Sequence, residues 1–238
     1  IASFTADQNT LAFMAGALAA LMTTETSDPH INADKVVGWV GGGENTAVND
    51  FLVGYIDGVN YVDPSIEVLY SYVGDWTNSA KATELANAQY DMGADVIFAV
   101  AGGAGFGACE SAAATGHYAF GVDTDFAGQL EQSGSATADY VVSSAIKQFG
   151  KVVYDAMVKF YNGELEFGKH TSCDVSSGYL EMLETKQFEK IVKEGMPDVY
   201  TRYTEICQDL KDGKIEVGTA VGATPEYVAQ KKAEAAAH

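Results

Sequence analysis

Four short apolar segments, each followed by a turn rich in glycine or aspartate, constrain the fold of this chain more than any other feature. They cover residues 35–41, 66–73, 95–100 and 118–122, and a segment with helical character follows each of the first three. Apolar strands that alternate with helices are typical of a parallel sheet covered by helices on both faces. The sequence therefore predicts an α/β fold whose neighbouring strands are joined by right-handed crossovers.

The rest of the chain shows a less regular pattern. Residues 11–22 are rich in Ala and Leu and predict a helix that is buried on most sides. Residues 124–138 are rich in Gly, Ser and Gln and predict a surface loop, whereas residues 143–161 predict a long amphipathic helix. The remaining predicted elements are a short strand at residues 178–183 and helices at residues 186–194 and 198–210. Residues 224–238 are rich in Ala, Glu and Lys and predict either a terminal helix or a frayed tail.

Composition excludes several classes of function. The chain has 14 Lys and Arg residues against 33 Asp and Glu residues, which gives a net charge of -19. Phosphate backbones and anionic lipid headgroups repel a chain this acidic, so we expect neither nucleic acid nor a membrane surface as a direct partner. The longest apolar run, residues 11–22, is shorter than the roughly 20 residues that a membrane-spanning helix needs.

The sequence contains no familiar catalytic or metal-binding motif. It has no Gly-x-Ser-x-Gly, His-Glu-x-x-His or EF-hand pattern. The three cysteines, Cys109, Cys173 and Cys207, lie far apart and lack the Cys-x-x-Cys spacing of a zinc site. We therefore expect no metal site, no cofactor and no catalysis.

Candidate binding residues follow the predicted strands. In an open parallel sheet, ligands bind outside the carboxyl ends of the strands, where the turns of this chain place Trp76, Gly102, Gly103, Asp123 and Asp125. The ring of Trp76 either stacks on a planar ligand or covers the edge of the core. The glycine-rich run that begins at Gly102 either forms a tight turn or lets the backbone approach a ligand closely.

Two carboxylates and one lysine complete this set of candidates. Asp123 and Asp125 accept hydrogen bonds, which suits sugar hydroxyls, although aspartates at such positions also cap turns or hold metal ions. Lys147 lies among apolar neighbours near the start of the predicted helix at residues 143–161, where a lysine either faces solvent or takes part in binding.

Several motifs in sequence order resemble one known family. They are Phe-Met-Ala-Gly-Ala-Leu-Ala-Ala-Leu-Met at residues 13–22, Tyr-Val-Gly-Asp-Trp-Thr-Asn-Ser-Ala-Lys at 72–81, Ala-Gly-Gly-Ala-Gly-Phe-Gly at 101–107 and Gly-Val-Asp-Thr-Asp at 121–125. Together they resemble the basic membrane protein family, the substrate-binding lipoproteins of ABC transporters that are related to purine nucleoside receptors. The resemblance covers roughly residues 1–185.

The resemblance implies a type I periplasmic-binding-protein fold, in which two α/β lobes joined by crossing segments close on a ligand. On this basis, residues 6–140 and 178–238 form the second, C-terminal lobe. Residues 1–5 and 141–177 are then crossing segments and a remnant of the first lobe. Chains of the family carry further residues before the matching segment, so we expect most of the N-terminal lobe and the lipid-bearing cysteine to lie outside this chain.

The resemblance also implies a function and a binding site. It predicts an extracytoplasmic, lipid-anchored substrate-binding protein, at the cell surface or in the periplasm, that delivers a nucleoside to an ABC permease, with purine nucleosides favoured. The ring of Trp76 would stack on the base, while Gly102 and Gly103 line it. Asp123 would hold the ribose hydroxyls and Lys147 would reach the sugar, with Asp125 beside them.

Other functions stay open at this level. Trp76 stands where the family usually has phenylalanine, and its wider ring also suits riboflavin or another planar or sugar ligand. A doubly wound enzyme that uses a nucleotide would need an acid or base, for which Asp123 and Asp125 are the candidates. A regulator on the same fold would need a basic DNA-binding region, which this sequence does not contain.

Overall fold

The structure is a computed structural model and describes residues 1–235. These residues form eight strands: β1 (Ser3–Ala6), β2 (Val36–Gly41), β3 (Glu67–Tyr72), β4 (Ala94–Val100), β5 (Tyr118–Val122), β6 (Val141–Lys147), β7 (His170–Cys173) and β8 (Leu180–Met182). They also form nine helices: α1 (Gln8–Thr23), α2 (Thr46–Val62), α3 (Ser79–Asp91), α4 (Phe106–Thr115), α5 (Phe126–Gln132), α6 (Phe149–Tyr161), α7 (Lys186–Phe188), α8 (Pro197–Lys211) and α9 (Pro225–Ala235). Helix α7 continues as a π-helix over Glu189–Glu194. Within these residues, no helix combines the length and the hydropathy that a membrane span requires.

Six of the strands form one sheet in the order β3-β2-β4-β5-β6-β8. The first five are parallel, and β8 pairs antiparallel with β6. Strands β1 and β7 form a separate two-stranded parallel sheet, in which Ser3 lies opposite His170. The four strands predicted from the apolar segments are therefore confirmed, and so is the predicted α/β fold with a parallel sheet.

Helices cover both faces of the large sheet because successive side chains along a strand point to opposite faces. In β2, Val37 and Trp39 belong to the core that includes α1 and α2, whereas Val36 and Val40 belong to the core that includes α3, α4 and α5. Helix α1 is buried along most of its length, as its Ala- and Leu-rich composition predicts. The two cores fix the sheet in the middle of the molecule and leave the ends of its strands at the surface.

The prediction of one long helix at residues 143–161 is wrong for its first residues. Val141–Lys147 is strand β6, and helix α6 begins only at Phe149. Ser143 is buried and donates to the carbonyl of Leu183 at 2.8 Å, a contact with a distant segment that no local pattern reveals. Lys147 is consequently the last residue of a strand, two positions before α6, rather than a residue inside a helix.

The prediction of a surface loop at residues 124–138 is also wrong, because helix α5 and a 3₁₀ turn at Ala136–Tyr140 occupy most of this segment. Asp125 caps α5 by accepting a hydrogen bond from the N–H of Gly128 at 2.9 Å. Phe126 is buried and stacks on Phe106 with ring centroids 4.1 Å apart. One cap and one buried ring thus order a segment whose composition is typical of a loop.

The later elements largely follow the sequence pattern. The strand predicted at residues 178–183 is present as β8, and the helices after it are present as α7 with its π-helical extension, α8 and α9. The last predicted helix is confirmed as far as Ala235, and its residues 236–238 lie outside the described residues.

Helix α6 carries a broad apolar surface that the described residues leave open. Seven of its side chains are each at least 40% exposed: Phe149, Val153, Tyr154, Met157, Val158, Phe160 and Tyr161. Phe167, in the segment that leads to β7, is 63% exposed as well. Large exposed apolar patches of this kind mark surfaces that contact another protein, a membrane or a ligand.

Candidate ligand-binding site

The order of the strands places a topological switch point between β2 and β4. From β2 the chain first adds β3 on one side and then returns to add β4 on the other side. Ligands of open α/β sheets bind in the crevice outside the carboxyl ends of the strands at such a point. The turns after β2, β3 and β4 meet there, and the N–H of Gly42 donates to the carbonyl of Val100 at 2.9 Å.

Hydrogen bonds within the turn after β3 order the backbone that carries Trp76. The carboxylate of Asp75 accepts hydrogen bonds from the N–H of Thr77 at 2.6 Å, its hydroxyl at 2.8 Å and the N–H of Asn78 at 2.8 Å. These donors hold the pKa of Asp75 below its ordinary value, because they stabilise the ionised carboxylate. The side chain of Asn78 in turn caps helix α3 by accepting from the N–H of Lys81 at 3.0 Å. The indole therefore projects from a turn that its own neighbours order.

The ring of Trp76 rests on a shelf of glycine backbone. A Cβ atom at Gly42 would lie 2.4 Å from Cε3 of the indole, and a Cβ atom at Gly102 would lie 3.5 Å from the same atom. Gly102 also has a φ of 54°, a conformation that disfavours other residues. Gly103 lies beside the carbonyl of Trp76, which accepts from the N–H of Ala104 at 2.9 Å. With 47% of Trp76 exposed, the ring stays available for stacking on a ligand.

Asp123 and Lys147 form an ion pair at the ends of β5 and β6. The carboxylate of Asp123 lies 2.9 Å from Nζ of Lys147, and the side chains are 52% and 13% exposed, respectively. Asp123 has a φ of 64°, and its N–H donates to the carbonyl of Ala145 at 2.8 Å. The backbone and the buried ammonium thus aim the carboxylate towards the surface, where it can accept hydrogen bonds from a ligand.

The structure brings most of the predicted residues together in two groups. Trp76, Gly102 and Gly103 form the first group, and Asp123 and Lys147 form the second. Asp125 lies next to the second group, with its Oδ1 atom engaged in the cap of α5. Trp76 follows β3 and packs on the turns after β2 and β4, whereas Asp123 and Lys147 stand at the ends of β5 and β6. Both groups therefore lie at the carboxyl edge of the same sheet.

Sequence reasoning missed two aromatic partners of Lys147. Its Nζ atom lies 4.9 Å from the ring centroid of Phe51, which is buried in α2, and 5.8 Å from that of Phe149 at the start of α6. The proximity of Phe149 to Lys147 in the sequence was a usable signal, but the contact with Phe51 was not visible because α2 is distant in sequence. Such rings stabilise an ammonium by cation–π interaction.

A pocket of about 770 Å³ opens beside Phe149. Its other walls come from the segment 4–10 that joins β1 to α1, from β7 and from the segment 217–221. Ligand pockets commonly hold about 300 to 1,000 Å³, so this space can admit a small molecule. None of Trp76, Asp123 and Lys147 lines it, so it is separate from the two groups described above. Among the described residues, no group of three or more His, Cys, Asp and Glu side chains is placed to hold a metal ion.

A model of one protein family matches residues 1–210. The family, Bmp, is described as ABC transporter substrate-binding protein PnrA-like. This chain belongs to the Bmp family. The resemblance drawn from the sequence motifs is thereby confirmed. ABC transporter substrate-binding proteins are not enzymes, which agrees with the expectation that the chain has no catalysis.

Two curated relatives illustrate the place of the chain within the Bmp family. It is 28% identical over 228 residues to the ABC transporter nucleoside-binding protein BmpA of Lactococcus lactis, a match that covers 91% of this chain and 60% of the relative. It is 30% identical over 184 residues to basic membrane protein D of Borreliella burgdorferi, which covers 76% of this chain and 51% of the relative. The chain therefore spans about half to three fifths of the length of these relatives.

Solved structures show the fold. A crystal structure of an ABC transporter solute-binding protein from Aeropyrum pernix is similar with a TM-score of 0.76 and 20% identity, over 98% of this chain and 71% of that one. A transcriptional activator of the comK gene from Bacillus halodurans is similar with a TM-score of 0.68 and 22% identity, over 88% of this chain and 64% of that one. The type I periplasmic-binding fold expected from the resemblance is confirmed.

Proposed function

We propose that this chain is the ligand-binding part of an extracytoplasmic substrate-binding protein that captures a nucleoside, with purine nucleosides favoured. The observation that carries the proposal is the exposed ring of Trp76 on its glycine shelf, at the same edge of the sheet as the exposed carboxylate of Asp123. An aromatic ring stacks on a nucleobase, and an ionised carboxylate forms strong hydrogen bonds with hydroxyl groups. The name of the lactococcal relative, a nucleoside-binding protein, supports the same ligand class.

The charges around the site favour a nucleoside over a nucleotide. Lys147 is already paired with Asp123 and Lys232 with Glu44, while Asp75 lies on the turn that presents the indole. A phosphate group placed there would meet more negative than positive charge, which is unfavourable at short range. Asp125 adds a further carboxylate beside the ion pair.

We infer that the opposite wall of the cleft comes from a first lobe. In this proposal residues 6–140 and 178–238 form the second lobe, and residues 1–5 and 141–177 form the crossing segments and part of the first. The open apolar surface of α6 and the larger size of the relatives both support it. Closure of the two lobes on the nucleoside would then present the protein to an ABC permease, with a lipid anchor holding it at the membrane.

Riboflavin is the second candidate ligand. The indole of Trp76 offers a wide stacking surface, which suits a larger planar molecule. A flavin and a nucleoside share the chemistry that this site recognises, since both combine a planar ring with a hydroxylated chain or sugar.

Isothermal titration of the full-length protein tests the proposal. We expect inosine to bind, inosine monophosphate to bind more weakly, and Trp76→Ala to weaken inosine binding about tenfold because stacking is lost. Free ribose should bind equally to the parent and to Trp76→Ala, which makes ribose the matched control. Equal affinity of the two proteins for inosine would contradict the stacking role, and tight binding of riboflavin without any nucleoside would favour the second candidate.

A further inference from the structure

The segment that follows α8 is bound firmly to α1 and α2. The carbonyl of Gly218 accepts from Nδ2 of Asn9 at 3.0 Å, and its N–H donates to the carboxylate of Asp57 at 2.7 Å. Asp50, which is 1% exposed, accepts from the hydroxyl of Thr219 at 2.6 Å and from the N–H of Ala220 at 2.8 Å. Two carboxylates of α2 thus anchor the chain just before α9, in the wall of the pocket beside Phe149.

Helix α9 carries two adjacent lysines that contact different parts of the molecule. Nζ of Lys231 lies 2.8 Å from the carboxylate of Asp57 in the middle of α2 and 3.0 Å from that of Glu234. Nζ of Lys232 lies 2.5 Å from the carboxylate of Glu44 and 4.9 Å from the ring centroid of Tyr72. Both lysine side chains are largely buried, with 18% and 14% exposed.

The two residues that Lys232 contacts lie close in sequence to the glycine shelf and to Trp76. Glu44 directly follows Gly42 and Gly43 in the turn after β2, and the ring of Trp76 lies against Gly42. Tyr72 is the last residue of β3, four positions before Trp76, and its hydroxyl donates to the side chain of Asn49 at 2.6 Å. A single ammonium group therefore joins the turn beneath the indole to the strand that leads into it.

We propose that Lys232 is a positioning residue for the binding site: by holding Glu44 and Tyr72 it fixes the glycine shelf and the ring of Trp76 in the geometry that stacks on a ligand. This inference rests on the proposed function, because it assigns α9 a role in the same site. Burial by itself would lower the pKa of Lys232, but hydrogen bonds to Glu44 and Tyr72 outweigh it and raise the pKa. The ammonium therefore stays charged at neutral pH.

Replacement of either lysine by methionine in the full-length protein gives a matched comparison. Lys232→Met removes the ion pair with Glu44, and Lys231→Met removes the pairs with Asp57 and Glu234. Both variants keep the apolar part of the side chain. We expect Lys232→Met to weaken inosine binding about five- to tenfold, the scale of one lost charge-assisted hydrogen bond, and Lys231→Met to leave it within about twofold. Lys232→Arg should restore most of the affinity, since it keeps the charge.

Fluorescence quenching by acrylamide supplies a second readout that does not depend on a ligand. The chain has two tryptophans, and Trp39 is fully buried, so the part of the quenching that is lost in Trp76→Phe reports on Trp76. We expect Trp76 to be quenched more strongly in Lys232→Met and in Glu44→Gln than in the parent or in Lys231→Met. If the parent binds no nucleoside, the proposed function fails and quenching still tests the positioning role. Equal quenching of the two lysine variants, or equal affinities where inosine binds, would overturn the inference.

Discussion

Replacing Asp123 by asparagine should weaken nucleoside binding by about 10- to 100-fold, the loss expected when hydrogen bonds to an ionised group are removed. The carboxylate of Asp123 is the exposed acceptor of the ion pair with Lys147. Asparagine has nearly the same shape and tolerates the φ of 64° at this position, so the backbone should be preserved. The same change leaves the ammonium of Lys147, only 13% exposed, without its carboxylate.

Asp125→Asn is the matched control for this experiment. Asp125 is two residues away and accepts from the N–H of Gly128, a capping role that asparagine fills equally well. We expect its affinity for inosine to stay within about threefold of the parent, since the cap of α5 is kept. Isothermal titration of the parent and both variants makes the comparison. An equal loss in the two variants would show that the negative charge of the region, rather than Asp123 itself, governs binding.

Replacing Gly16 by alanine should lower the free energy of unfolding by about 2 to 3 kcal/mol, near the upper end of the cost of overpacking. Helices α1 and α2 cross in close contact, and a Cβ atom at Gly16 would lie 2.1 Å from the carbonyl oxygen of Tyr55. Gly54 and Gly58 of α2 meet the backbone of α1 in the same way. A methyl group at this crossing has to push the two helices apart, because backbone atoms cannot rotate away as a side chain can.

Gly150→Ala provides the control for the helix crossing. Gly150 lies in α6 and has no atom within 4 Å of the place where a Cβ would stand. Alanine is the better helix former, so we expect a change of less than about 1 kcal/mol, in the stabilising direction. Urea unfolding, followed by the fluorescence of the buried Trp39, measures both variants. Equal stability of Gly16→Ala and the parent would contradict the account of the crossing.

The parts of the fold and site that follow from the sequence are those encoded by neighbouring residues. The four apolar strands alternate with helices, so the parallel sheet and the edge where its turns meet could be predicted. The turn that presents Trp76 is likewise local, since Asp75 and Asn78 form its hydrogen bonds within a few residues. Asp123 follows the end of β5 directly and was placed at the edge for the same reason.

The parts that could not be predicted depend on contacts between distant segments. The prediction of a helix at residues 143–161 passed over the strand-favouring residues Val141, Val142 and Ile146. The pairing with β5 and β8, which no local pattern shows, fixes this segment as β6. The surroundings of Lys147 follow from that pairing, and Phe51 reaches it from another helix. Lys232 joins the site only because α9 folds back against α2 and β3, an event that the sequence of its own helix does not indicate.

A crystal structure of the full-length protein with inosine tests the central claim most directly. The account predicts that the purine ring stacks on the indole of Trp76, with ring centroids about 4.5 to 7 Å apart. It also predicts that the ribose hydroxyls lie within hydrogen-bond distance of the carboxylate of Asp123. A nucleoside bound away from the carboxyl edge of the sheet, or bound there with neither Trp76 nor Asp123 in contact, would contradict the account.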